Sequence, residues 1–140
     1  MSESVNFHFD IDGDNFTSAG EASVRIKKLL REMGFSPDVI RRVSVAMYEG
    51  EINMVIHANG GSADIDVFCD RIQIVLADQG PGIPNIDLAM QEGYSTAPDN
   101  IRSLGFGAGM GLPNMKKYTD EMKVESEVGK GTTVTMVVNV

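Results

Sequence analysis

The chain has 140 residues, 42% of them apolar, with 12 lysines and arginines against 20 aspartates and glutamates and a net charge of −8. That length suits one domain, residues 1–140, able to bury a core without staples. The acidic balance speaks against direct nucleic-acid binding, one cysteine (Cys69) excludes an internal disulfide, and two histidines with that cysteine are too few for a zinc cluster.

Met1-Ser2-Glu3-Ser4 opens the chain without the basic-then-apolar pattern of a secretory leader, and no later run reaches membrane-spanning length. A reducing, cytoplasmic setting without membrane association is expected. Val5, Phe7, Phe9 and Ile11 alternate with polar residues, which predicts an antiparallel strand, edge or second in its sheet. Asp12-Gly13-Asp14-Asn15 is a turn. Ala22, Val24, Ile26, Leu29 and Leu30 supply the apolar side of a helix over about 18–33, stopped by Gly34. Ser36-Pro37-Asp38 caps and opens a second helix. It runs to about His57 or Ala58, where Asn59-Gly60-Gly61 ends it. Residues 63–69 and 72–77 read as strands joined tightly at Asp70-Arg71, which puts Cys69 in a strand.

A short helix is expected over 85–91. Residues 93–103 are polar and irregular, with Pro98 among them, and read as a mobile lid. A glycine-rich run over 105–111 leads into a helix over about 110–120. Strands over 122–127 and 132–140 surround Gly129-Lys130-Gly131. The order β-α-α-β-β-α-α-β-β predicts an α+β two-layer sandwich, with helices on one face of a mainly antiparallel or mixed sheet. Met47, Met54, Met115 and Met136 fall at core-like positions and read as gap filling.

Asp78-Gln79-Gly80-Pro81-Gly82-Ile83 follows the apolar run Ile72–Ala77. An Asp at a strand end can accept from an exocyclic amine, and Gly80 and Gly82 permit close approach or positive φ. The plainer alternative is a strand-to-helix turn with a capping Asp. On the second helix Glu49, Asn53 and His57 are spaced four apart and share a face. That face borders the core stripe Val39, Val43, Ala46, Gly50 and Met54. An Asn oxygen suits Mg²⁺, and a Glu one turn away can activate a nucleophile near it. The alternative is an amphipathic helix with polar shoulders, in which His57 sits structurally at the C-terminus.

Gly105, Gly107, Gly109 and Gly111 alternate before a helix and expose backbone N–H groups that suit a phosphate chain. The run is neither a Walker motif nor the dinucleotide fingerprint. Gly129-Lys130-Gly131-Thr132 is a hairpin turn from which Thr132 can point its hydroxyl toward Asp78.

Taken in order, Glu49-x-x-x-Asn53, Asp78-x-Gly80-x-Gly82, Gly107-x-Gly109-x-Gly111 and Gly131-Thr132 resemble the boxes of the GHKL superfamily. That superfamily is the Bergerat-type ATP-binding fold of gyrase, Hsp90, histidine kinases and MutL. The likeness covers the chain from about residue 36 onward. Asp78–Pro84, Gly93-Tyr94-Ser95-Thr96 and Gly107–Pro113 are especially similar to the anti-sigma-factor serine/threonine kinases of bacterial partner switching, above all their stressosome switch-kinase branch.

The resemblance implies an ATP- and Mg²⁺-dependent kinase acting on a STAS-domain antagonist protein. In some members a sigma factor or a PP2C-type phosphatase is also bound, and family likeness extends to a homodimer. Carried over, Glu49 is the general base, Asn53 the Mg²⁺ ligand and Asp78 the acceptor of the adenine amine. Gly80 and Gly82 allow close approach, and Thr132 supports through its hydroxyl. Gly105, Gly107, Gly109 and Gly111 line the triphosphate, and Arg102 reaches the terminal phosphate. Two departures stand out: Ile52 in place of the threonine of sporulation-type relatives, and Glu51, expected to add a second carboxylate near the base. The alternative function is a non-catalytic, ATP-gated module that sequesters a sigma factor or other regulator. A detached histidine-kinase catalytic domain is disfavoured by the short lid.

Overall fold

The computed structural model describes residues 4–12, 20–58, 60–80, 82–83, 90 and 111–140. Five strands form one sheet: β1 (Val5–Asp12), β2 (Gly60–Val67), β3 (Arg71–Asp78), β4 (Glu121–Glu127) and β5 (Gly131–Asn139). Their order is β1-β2-β3-β5-β4, and every neighbouring pair is antiparallel. Of the two sheet types compatible with the pattern, mainly antiparallel or mixed, the antiparallel one is found. Tight hairpins impose it on β2–β3 and β4–β5, where the chain turns back at once. β1 is an edge strand, paired with β2 alone among the described strands.

Alternation decides which face is covered. Ile65, Ile72, Ile74, Met136 and Val138 are fully buried, each contributing roughly 1.5–3 kcal/mol relative to exposure. They share one cluster with Ile26 and Leu30 of α1 (Glu21–Glu32), Val43, Met47 and Met54 of α2 (Pro37–Ala58), and Met115 of α3 (Gly111–Lys117). The sandwich therefore has its helices on one face, and all four methionines assigned to gap filling lie in the core.

α2 is the element that positions the site. Ser36 Oγ accepts from Val39 N at 3.3 Å, and Pro37 is the first helical residue, as the cap signal requires. Its stripe of Val39, Val43, Ala46, Gly50 and Met54 is buried. Gly50 marks where the helix presses on β3, for a Cβ there would lie 2.0 Å from Leu76 Cδ1. Arg42 pins the first turns to the sheet, donating to Asp38 at 3.0 Å, Asp120 at 2.9 Å and the Asn139 carbonyl at 3.0 Å.

Several boundaries differ from expectation. Val24 is 67% exposed, because two residues after buried Ala22 it has turned to the far side of α1. α2 ends at Ala58 as expected, but β2 begins at Gly60, paired with Asp12, and not at residue 63. Cys69 is exposed in the β2–β3 turn, which Phe68 N closes onto Arg71 O at 2.9 Å. The expected helix over 85–91 and lid over 93–103 lie outside the described residues.

Candidate functional site

Glu49 and Asn53 stand one turn apart on α2, both half-buried, and α3 lies against them. Asn114 Nδ2 donates to Glu49 Oε1 at 3.3 Å. Burial pushes the Glu49 carboxyl above the usual glutamate value, and the Asn114 N–H pulls against that shift. Asn53 Nδ2 points at Met115 Sδ, 3.9 Å away. That contact uses the amide nitrogen and leaves the amide oxygen, a neutral hard donor, for a cation. Among the described residues no group of three or more His, Cys, Asp or Glu could hold a metal. The His57 side chain lies outside the described residues.

Glu51 does not add a second carboxylate beside Glu49. Two residues from Glu49 it faces the opposite way, 1% exposed, into the start of α1. Its Oε2 accepts from Gly20 N at 2.8 Å and Ala22 N at 3.3 Å, and its Oε1 from Ser23 N at 2.7 Å. Gly20 offers no side-chain cap, so the carboxylate of a neighbouring helix satisfies the first N–H groups of α1. Burial pushes this carboxyl up as well, against N–H bonds that favour its charge. Glu51→Ala is expected to cost at least about 2 kcal/mol, because the buried donors lose their acceptor. An unchanged urea midpoint in that variant would contradict the assignment.

Asp78 ends β3 opposite Thr132 of β5. Its Oδ1 accepts from Gly80 N at 2.9 Å and from Thr132 N at 3.2 Å. The expected hydroxyl contact is thus made by the Thr132 backbone instead. The Thr132 hydroxyl lies 2.8 Å from Ser126 Oγ. Ser126, which no sequence motif marked, also accepts from Ile83 N at 2.7 Å and lies 3.1 Å from the Gly131 carbonyl. One hydroxyl therefore ties the segment after Asp78 to the β4–β5 hairpin. Both of these bonds fall on Oδ1.

The glycines serve chain packing first. Gly82 has φ +80°, and a Cβ there would meet the Glu127 carbonyl at 2.4 Å. A Cβ on Gly131, at φ +136°, would meet the Asp78 carbonyl at 2.1 Å. Gly80 abuts Ala58, where a Cβ would meet the alanine Cβ at 2.5 Å, which brings the Asp78 turn under the end of α2. The Asp78 turn thus packs at the C-terminal end of the helix that carries Glu49 and Asn53. Gly111 begins α3, while Arg102, Gly105, Gly107 and Gly109 lie outside the described residues.

Residues 15–138 match the family model for the histidine kinase-like ATPase domain. The chain is 33% identical over 112 residues to the serine/threonine-protein kinase RsbT of Bacillus subtilis, covering 77% of this chain and 78% of RsbT. It is 34% identical over 120 residues to the anti-sigma F factor of Clostridium acetobutylicum, covering 82% and 80%. The anti-sigma F factor of Geobacillus stearothermophilus aligns over 140 residues at 32% identity, covering 96% and 90%. Among solved structures, a Mycobacterium tuberculosis protein with RsbU and RsbW domains superposes at a TM-score of 0.64 and 16% identity. That match covers 96% of this chain and 32% of the solved one, and shows a shared fold.

Proposed function

Because this chain belongs to the histidine kinase-like ATPase domain family, we propose that it is an ATP-dependent protein serine/threonine kinase and anti-sigma regulatory factor. Its substrate in this reading is a STAS-domain antagonist protein of a bacterial partner-switching pathway. The observation that carries the reading is the pairing of a half-buried carboxylate, Glu49, with Asn53 one turn away, both engaged by α3. A module that only binds nucleotide has little need of a carboxylate beside the phosphate site.

The family is one of ATPases, and ATP is the nucleotide. The Asp78 carboxylate accepts from the adenine amine, with Gly80, Gly82 and Thr132 shaping the turn around it. Asn53 holds Mg²⁺, which when bound neutralises charge on the phosphates. Gly105, Gly107, Gly109 and Gly111 line the triphosphate, and Arg102 reaches its terminal group. Glu49 takes the proton of the incoming hydroxyl as its oxygen bonds to the terminal phosphorus and ADP leaves. Such transfer asks mainly for positioning and charge neutralisation.

The same domain, residues 1–140, would hold a sigma factor or a PP2C-type phosphatase and would act as a homodimer in the cytoplasm. No helix among the described residues is long and apolar enough to cross a membrane. A second reading, an ATP-gated module that sequesters a sigma factor without catalysis, is favoured by the relatives named anti-sigma F factor. Incubation with γ-labelled ATP, Mg²⁺ and a STAS-domain protein encoded nearby separates the two. Label on the STAS protein supports the kinase. Calorimetric Mg·ATP binding without label, together with ATP-dependent capture of a sigma factor, would support the second reading.

A further inference from the structure

We infer that Asn114 is a positioning residue for the base: its amide holds one oxygen of the Glu49 carboxylate and leaves the other to the incoming hydroxyl. This rests on the assignment of Glu49 above. Asn114 is the fourth residue of α3, and its Nδ2 lies 3.3 Å from Glu49 Oε1 with both residues half-buried. The bond is therefore partly shielded from water. The next residue, Met115, is 1% exposed and receives the Asn53 amide on its sulfur at 3.9 Å. Consecutive residues of one short helix thus engage Glu49 and Asn53 of α2. Met115 fixes α3 in the core, and that anchoring fixes where the Asn114 amide sits.

The chemistry asks for a donor of this kind. A carboxylate free to rotate offers its oxygens in many orientations, and only some suit an in-line attack. One N–H bond to Oε1 restricts that rotation. An amide does so without a formal charge, so Glu49 stays a base. A Lys or Arg at 114 would pair with Glu49 and oppose its protonation.

The test is steady-state phosphotransfer from γ-labelled ATP to the STAS-domain protein, with ADP formation in the absence of acceptor measured in parallel. Asn114→Leu keeps the branched volume and removes the donor. Its kcat is expected to fall about ten- to a hundredfold, with KM for ATP within about twofold of wild type. Asn114→Asp, which keeps the shape without an N–H, loses at least as much, and Asn114→Gln recovers part of the rate. In a Glu49→Gln background, Asn114→Leu adds no further loss. A merely structural residue would move kcat, KM and thermal stability together, and that pattern would overturn the inference. So would full activity of both Asn114→Leu and Asn114→Asp while Glu49→Gln is inactive. Full activity of Glu49→Gln would instead remove the base assignment itself, and this inference with it.

Discussion

The Asn53→Ala variant is expected to lose Mg·ATP binding, giving no heat of binding at protein concentrations where the wild type saturates. Mg²⁺ demands near-octahedral oxygen geometry and keeps several waters, so a site of this kind rests on very few protein ligands. The described residues offer no acidic cluster to take over. In the proposed reading, removing the Asn53 oxygen removes the side chain by which α2 would hold the metal and, through it, the phosphates. The cost to folding is small by contrast. Asn53 is half-buried and its described side-chain contact is a weak one to the Met115 sulfur. Its loss should cost under about 1 kcal/mol in unfolding experiments. Mg·ATP affinity within a few-fold of wild type would remove Asn53 from its assigned role.

Glu49→Ala should behave in the opposite sense, with Mg·ATP binding kept within a few-fold and phosphotransfer reduced about 10²- to 10⁴-fold. Glu49 reaches no backbone donor in the described structure, and its described bond is to a side chain, Asn114. The helix therefore loses little when the carboxylate is removed. Glu51 makes an instructive control, since its carboxylate holds the start of α1 and its removal should lower stability. Two acids two residues apart on one helix should thus separate catalysis from folding. Loss of binding and transfer to the same degree in Glu49→Ala would count against the base.

α2 was legible almost to the residue, because a Ser-Pro-Asp start and a four-residue apolar period are both local signals. Asp78 at the end of β3 was legible for the same reason, as an acid closing an apolar run. What stayed hidden depends on contacts between distant parts of the chain. Glu51 looks like a neighbour of Glu49 in sequence, but the helical turn sends it to residues about 30 positions earlier. Asn114 reaches Glu49 across 65 residues, and no spacing rule announces it. Ser126 sits in an alternating strand with nothing to mark it until Ile83 and Thr132 fold onto it. The expected Thr132 hydroxyl contact failed on strand register, since direct pairing with Asp78 presents the Thr132 N–H instead. Gly82 and Gly131 were visible as glycines, but the carbonyls they make room for belong to this chain.

The most direct measurement is the chemical identity of the phosphorylated product after a single turnover with γ-labelled ATP, Mg²⁺ and the STAS-domain protein. A kinase of the kind proposed places the label on a serine or threonine of the STAS protein, in acid-stable linkage, with one ADP formed per phosphoryl group transferred. Label that remains in ATP despite saturating Mg·ATP binding, or that appears in acid-labile form on this chain, would contradict it.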